Sequence, residues 1–413
     1  MTLLSQKPAA FGPLQGLRVL DFTQALAGPF GTQVLADLGA EVVKVESPDG
    51  DGTRRAPFFH PDDSEHLNSG YFHSVNRNKS SIVVDLKAEG GREAVRRLVP
   101  HFDVVAENFR AGVMERLGLP YESLRALNPR LVYGCLRGFG DPRGGASPYA
   151  AWPAYDVVAQ AMGGMMGVTG PGPAAPTKVG PGVGDTIPGL YLAIGILSAV
   201  MRARQTGEGQ FLDVSMLDAV LAVSERIVQQ HFFGGLVPGP EGSHHPFITP
   251  FGIFPARDGH VALAWTGEAF FIAGAKALDA PELLQDPVTA TAKSRGANRA
   301  QAIERIGAVT ARFTKAQLMA RLGGVAPFGP VYDAAEIAAD PHFAAREMLQ
   351  PIDIPGLPSS MMVTGAPIKL SATPGGVKRR GPSLGEHTRT VFSDAGVSAG
   401  QIDAWLAAGV LKG

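Results

Sequence analysis

Cysteine is almost absent: Cys135 stands alone among 413 residues. No internal disulfide can form, and the chain suits a reducing compartment, the cytoplasm. Excess charge is missing too. The sequence holds 37 Lys and Arg against 38 Asp and Glu, a net charge of -1, which argues against nucleic acid as a partner. Any anionic ligand must then be held by a local group of cations. The longest apolar helical stretch, residues 190–201, is too short to span a bilayer, so no membrane partner is expected. The opening Met-Thr-Leu-Leu-Ser-Gln-Lys-Pro lacks the basic and then apolar order of a secretion signal. No metal set is visible. His244 and His245 are adjacent and would point to opposite faces of a strand. The nucleophile elbow G-x-S-x-G is absent. What the chain does have is apolar mass, 45% of its residues, enough for a large core in two domains. Its 52 Gly and 33 Pro are spread along the chain and mark turns.

Residues 16–22 are a short apolar run opened by Gly, read as a buried strand. Pro29 starts a helix that ends at Leu38, with Gly39 just beyond it. Residues 41–46 form the next strand. Strand, helix and strand in about thirty residues make a right-handed parallel pair. Further strands are predicted at 81–86, 103–107 and 130–136, with a helix over 89–98. The first half is therefore an α/β domain with a mostly parallel sheet. Cys135 falls inside one of its strands and reads as a core residue. A helix over 186–204 is apolar nearly all round and should be buried. A strand at 210–215 and a helix over 216–231 follow. Residues 234–250 are rich in Gly, Pro and His. A hairpin over 253–264, turning at Asp258 and Gly259, opens a smaller α/β unit. The predicted organisation is 1–204 for the large domain, 205–234 for a linking strand and helix, 235–330 for the small domain, and 331–413 for a return to the large one.

The first strand–helix–strand unit looks like half of a nucleotide-binding fold, with Glu46 where such folds place a ribose-binding acid. Its glycine fingerprint is missing, because Ala-Gly-Pro-Phe-Gly (27–31) does not fit G-x-G-x-x-G. Glu46 otherwise reads as a solvated strand end. The strongest chemical candidate is Asp185, in Val-Gly-Asp-Thr-Ile-Pro-Gly (183–189). The segment sets one carboxylate between glycine backbone and the start of an apolar helix. Asp185 reads as a helix cap, as a reactive carboxylate, or as both. In the field of the helix it should be held ionised, as a nucleophile must be. Tyr155 and Asp156 lie nearby in sequence and otherwise read as a rim aromatic and a cap.

Several long motifs carry a resemblance. They include Gly-Leu-Arg-Val-Leu-Asp-Phe-Thr (16–23), Leu-Ala-Asp-Leu-Gly-Ala-Glu-Val-Val-Lys-Val-Glu (35–46), Asn-Arg-Asn-Lys (76–79), Glu-Asn-Phe-Arg-Ala-Gly-Val-Met-Glu-Arg-Leu-Gly (107–118), Asn-Pro-Arg-Leu-Val-Tyr (128–133), Thr-Gly-Glu-Gly-Gln (206–210) and Gly-Glu-His-Thr (385–388). By these the chain resembles the family III CoA-transferases (CaiB/BaiF type), which include formyl-CoA:oxalate CoA-transferase and the α-methylacyl-CoA racemases. The resemblance implies a Rossmann-like large domain, a small α/β domain, and an obligate homodimer of two interlocked subunits. It implies no tightly bound cofactor; coenzyme A and acyl-CoA are substrates, and free carboxylic acids are acceptors. It implies that Asp185 attacks an acyl-CoA thioester, forming an aspartyl anhydride and then an aspartyl-CoA thioester, with helix N–H groups nearby to stabilise oxyanions. The CoA site would comprise Leu26 and Ala27; Val84, Asp85, Leu86 and Lys87; Asn108, Phe109, Arg110 and Arg116; and Pro153, Ala154, Tyr155 and Asp156. Arginine forks suit the phosphates of CoA.

The chain departs from the formyl-CoA enzyme at Leu26, where that enzyme has glutamine, and at Ser47, where it has arginine. Oxalate and formate are thereby disfavoured, and Arg54 or Arg55 is expected to replace the lost phosphate contact. The segment 241–250, with His244 or His245 near the acyl group, is expected to serve as the lid. Its polar character points to succinyl-CoA as donor and a small dicarboxylate as acceptor. Racemases of the family have a histidine where Tyr155 stands, and a phenol is a poor base at neutral pH. Transfer is favoured over racemisation, and a non-catalytic CoA-binding protein is the third alternative.

Overall fold

A computed structural model describes residues 11–413. The opening residues read for a secretion signal lie outside the described residues. Contacts divide the chain into two compact units. One comprises residues 11–165, 179–226 and 341–413, the other 166–178 and 227–340. Residues 205–226, placed by sequence in a linker, pack within the first unit, and 331–340 within the second.

The first unit carries a seven-stranded sheet. Its parallel strands are β1 (Arg18–Asp21), β2 (Glu41–Glu46), β3 (Ser80–Val84), β4 (Val104–Glu107), β5 (Val132–Arg137) and β6 (Phe211–Ser215). The C-terminal strand Leu411–Lys412 pairs antiparallel with β3 at one edge. From that edge the order is β3, β2, β1, β4, β5, β6. The central strands are apolar on both faces because helices cover both. Leu20, Val43 and Val105 face one layer, with α3 (Glu89–Leu98) and α5 (Tyr121–Leu127); Val19, Val42 and Val104 face the other, with α1 (Ala27–Asp37) and α7 (Val183–Thr206). Alternate residues serve opposite layers, as the pleat requires. Cys135 is buried in β5, as expected.

Helices α1 and α7 cross very closely. A Cβ on Gly31 would lie 2.4 Å from the carbonyl oxygen of Gly189, and one on Gly189 would lie 2.5 Å from that of Ala27. Larger residues at these positions would push α7 off α1 and displace its N-terminal turns.

Two expectations about helices fail. Helix α7 has 24 residues, long and apolar enough to cross a membrane by length and composition, and not the shorter stretch read from sequence. Nor is it buried all round. Leu192, Ile196 and Ala199 pack on the sheet, but Ile194 is 59% and Met201 65% exposed. A helix lying on a sheet offers it only one side, whatever its mean composition. The helix expected over 216–231 breaks into α8 (Met216–Ala222) and Glu225–Phe232, with Ser224 Oγ donating to the carbonyl of Val220.

The second unit has an antiparallel sheet of β7 (Phe251–Ala256), β8 (Gly259–Ala264) and β9 (Phe328–Pro330). The hairpin pairs Ala256 with Gly259, so its two turn residues are Arg257 and Asp258, one earlier than expected. Phe254, Val261, Leu263, Trp265, Phe271 and Ile306 form its core.

Candidate active site

The strand order reverses between β1 and β4. The chain first builds outward from β1 through β2 to β3, then returns to lay β4 on the other side of β1. In open parallel sheets the crevice beyond the carboxyl ends at such a switch point is where ligands bind. A cleft of about 290 Å³ opens there. Its walls come from Gln24, Ala25, Leu26 and Ala27 after β1, from Asn108, Phe109 and Arg110 after β4, and from the segment Pro153, Ala154 and Tyr155 beyond β5. Asp185 lines the same cleft.

The loops are tied to each other from beneath. Asn108 Oδ1 accepts from the N–H of Gln24 at 2.8 Å, and Asn108 Nδ2 donates to the carbonyl of Gln24 at 2.8 Å. The side chain of Asn108 is thus a clamp between β1 and β4. Glu107, wholly buried at the end of β4, accepts from the N–H of Phe109 at 2.7 Å and from Arg137 at 2.8 Å. Deeper still, Asp21 at the end of β1 meets Lys79 Nζ at 3.1 Å, while Lys44 Nζ donates to the carbonyl of Thr23 at 2.6 Å. Burial alone would raise the Asp21 carboxyl, but Lys79, Lys44, Thr23 and Thr32 hold it below its usual range. Asn76 and Lys79 of the Asn-Arg-Asn-Lys motif bond each other, and Arg77 and Asn78 both donate to Asp37. The motif is scaffold.

Asp185 is different. Helix α7 begins at Val183 after Gly182, so Asp185 sits within the first turn and is not the cap. Its carboxylate makes no hydrogen bond or ion pair among the described residues. Burial, and then the charge of Asp156, raise it from 3.8 to about 7. This overturns the expectation of a carboxylate held fully ionised by the helix field: with no cation at hand, desolvation wins. The helix N–H groups are also committed. Those of Asp185 and Thr186 donate to the carbonyl of Gly182, and that of Gly184 donates to Asp156 Oδ1 at 2.8 Å. They do not form the expected oxyanion site.

The remaining candidates divide. Tyr155 is a rim residue, 69% exposed. Asp156 does not line the cleft; its Oδ1 is turned to Gly184 and Gln160. Val84 is buried in the core, half-buried Leu86 packs against that core, and Asp85 accepts the N–H of Lys87 at 2.9 Å, which leaves only exposed Lys87 to face outward after β3. That loop stands three strands from the β4 loop, roughly 14 Å along the sheet edge at about 4.8 Å per strand. Arg116 ends the short helix α4 (Val113–Arg116) outside the cleft, exposed; neither it nor Arg110 has a side-chain partner among the described residues. Arg54 is already committed. It forms a fork on Glu46, at 2.8 and 2.7 Å, and stacks on Phe72 at 3.7 Å. Arg54 therefore does not replace the phosphate contact, and Glu46 is neither solvated nor free for a ribose. His244 and His245 belong to the second unit, where His245 Nδ1 accepts from the N–H groups of Phe247 and Ile248.

Sequence reasoning missed two residues. Gln160 is wholly buried one turn after Asp156 on α6 (Asp156–Met162), a spacing that could have drawn notice. Tyr71, on α2 (Gly70–Asn76), has its phenol raised first by burial and then by the charge of Asp185. It is distant in sequence and gave no signal.

A parallel α/β sheet whose switch-point cleft holds an acid unpaired among the described residues has the arrangement of a ligand-binding site with a reactive carboxylate. Comparison with known proteins narrows the class. The family described as CoA-transferase family III matches residues 14–388. A succinyl-CoA:mesaconate CoA-transferase of Haloarcula hispanica is 44% identical over 392 residues, covering 94% of this chain and 98% of the relative. A succinyl-CoA–D-citramalate CoA-transferase of Chloroflexus aurantiacus is 38% identical over 397 residues, covering 94% and 95%. The crystal structure of a CAIB/BAIF family protein from Brucella suis superposes with a TM-score of 0.83 at 36% identity, covering 93% of this chain and 99% of that one. The chain belongs to CoA-transferase family III and is a CoA-transferase.

Proposed function

We propose that the enzyme moves CoA from succinyl-CoA to a small dicarboxylic acid, with Asp185 as the covalent intermediary. The observation that carries this is the unpaired Asp185 carboxylate in the switch-point cleft. The names of the relatives supply the donor and the acceptor class. In the first step a carboxylate oxygen of Asp185 attacks the thioester carbonyl and the C–S bond breaks, giving an aspartyl–succinyl anhydride and CoA thiolate. The thiolate attacks the aspartyl carbonyl and releases succinate, leaving an aspartyl-CoA thioester. The acceptor carboxylate attacks that thioester, forming a second anhydride and again freeing thiolate. Thiolate attacks the acceptor acyl carbonyl, and Asp185 returns as carboxylate. Each tetrahedral centre needs N–H donors. Leu26 and Ala27, at the start of α1, line the cleft, and their N–H groups have no partner among the described residues. They take the role the α7 groups cannot.

Coenzyme A would lie along the carboxyl edge of the sheet, its phosphates toward Lys87, Arg110 and Arg116 and its thioester toward Asp185, flanked by Pro153, Ala154 and Tyr155. Absence of histidine at Tyr155 supports transfer over racemisation. The enzyme works as an interlocked homodimer in the cytoplasm. Exposed Leu190, Ile194 and Met201 on α7 and Phe232 and Phe233 in the second unit are apolar surface that a second subunit would cover. The test is trapping with hydroxylamine during turnover with succinyl-CoA and mesaconate. A hydroxamate at Asp185, found by peptide mass, is expected. Full transfer by Asp185→Asn would overturn the reading.

A further inference from the structure

Helix α7 delivers Asp185 from a weakly secured first turn. Its cap, Gly182, has no side chain to satisfy the first N–H groups. Pro188 lies inside the helix, so the carbonyl of Gly184 lacks the N–H that residue 188 would ordinarily donate to it. The turn is held from outside instead. Asp156, the first residue of α6, accepts the N–H of Gly184 through Oδ1 at 2.8 Å. Gln160, on the same side of α6 one turn later, donates Nε2–H to that Oδ1 at 2.8 Å and accepts the N–H of Val179 through Oε1 at 2.9 Å. The two side chains thus grip both ends of the segment that leads into α7. Gly184 permits the approach, because a Cβ there would lie 2.4 Å from the carbonyl oxygen of Asp156.

We propose that Asp156, backed by Gln160, is a positioning residue that fixes where the Asp185 carboxylate points, rather than a contact for CoA. This rests on the reading of Asp185 as the attacking group. An attacking oxygen displaced by about an ångström loses on the order of a hundredfold in rate. The clamp also leaves an electrical mark. The groups that face Asp185 are Asp156 from α6 and the Tyr71 phenol from α2, and no cation is among them. After burial, the charge of Asp156 is what raises the proton affinity of Asp185.

The experiment measures kcat, KM for succinyl-CoA and the pH profile for Asp156→Ala, Asp156→Asn, Gln160→Leu and Asp185→Asn. Asp156→Ala is expected to lower kcat roughly a hundredfold with KM changed less than about threefold. Asp156→Asn keeps an oxygen for Gly184 and should recover most of kcat, while the acid limb of its profile moves to lower pH because the neighbouring charge is gone. Gln160→Leu is expected to lower kcat roughly tenfold with the limb unmoved. It also serves if Asp156→Ala fails to fold. Parental kcat in Gln160→Leu, together with an unmoved limb in Asp156→Asn, would overturn the inference while an inactive Asp185→Asn left the mechanism standing. A fully active Asp185→Asn would remove both.

Discussion

Two aspartates sit near the switch point and were treated oppositely by the fold. Asp21 is fully buried at the end of β1, and Lys79, Thr23 and Thr32 bond it. Asp185 is partly open, faces another acid, and has no cation beside it among the described residues. The first is held below the usual carboxylate range and the second is raised to about 7. The residue type is the same; the partners differ. Buried charge that is paired is scaffold, and charge left unpaired in a cleft is a reservoir of reactivity. The cluster around Asp21 fixes the β1–α1 turn that carries Leu26 and Ala27, so the inert acid supports the site that the reactive acid serves.

Exchanging the roles should break this contrast. Asp185→Asn is expected to lower transfer by about 10⁴-fold or more, measured as new thioester by mass spectrometry. The same variant should be more stable than the parent at pH 8. A carboxyl raised from 3.8 to about 7 contributes stability that is fully present below pH 4 and lost as pH rises through 7. The gain is on the order of 2–4 kcal/mol, read from denaturant midpoints at pH 8 and absent at pH 4. Asp21→Ala should do the reverse. It strands Lys79 in the core and costs about 3–5 kcal/mol, seen as a lower Tm or as insoluble protein. If Asp21→Ala folded normally and lost only activity, the division between scaffold and reactive acid would fail.

A smaller effect sharpens the contrast. The reactive form of Asp185 is the carboxylate, so kcat/KM should fall about tenfold for each pH unit below an acid limb near 7. A limb near 4 would mean that a cation supplied by the substrate or a second subunit reaches Asp185.

Much of this was legible beforehand. Apolar runs at β1 to β5 and their alternation with helices gave the parallel sheet, because strands buried on both faces carry a continuous signal. Asp185 stood out from its glycine and helix context. The state of that carboxyl was not legible. Its proton affinity depends on Asp156 and on burial, and burial follows from tertiary packing that neighbours in sequence do not reveal. The split of α7 into a packed side and an exposed side was hidden by a sequence apolar on both. The fate of Arg54 was likewise invisible, because its fork on Glu46 needs β2 and the turn beyond it in their folded places.

The two arginines therefore offer the mildest test. Arg116 is exposed and has no side-chain partner among the described residues, whereas Arg54 is part of the interior. Arg116→Ala removes a cation that can meet phosphate only from solvent, where such a contact contributes about 0.5–1.5 kcal/mol. CoA affinity should fall roughly threefold to tenfold by calorimetry, with acceptor KM and Tm unchanged. Arg54→Ala should leave CoA affinity near the parent and lower Tm, because buried Glu46 loses its fork. The converse pattern, with CoA weakened by the Arg54 change and not by the Arg116 change, would show that the Arg54 fork opens to receive phosphate and that the line between scaffold and site runs on the other side of Glu46.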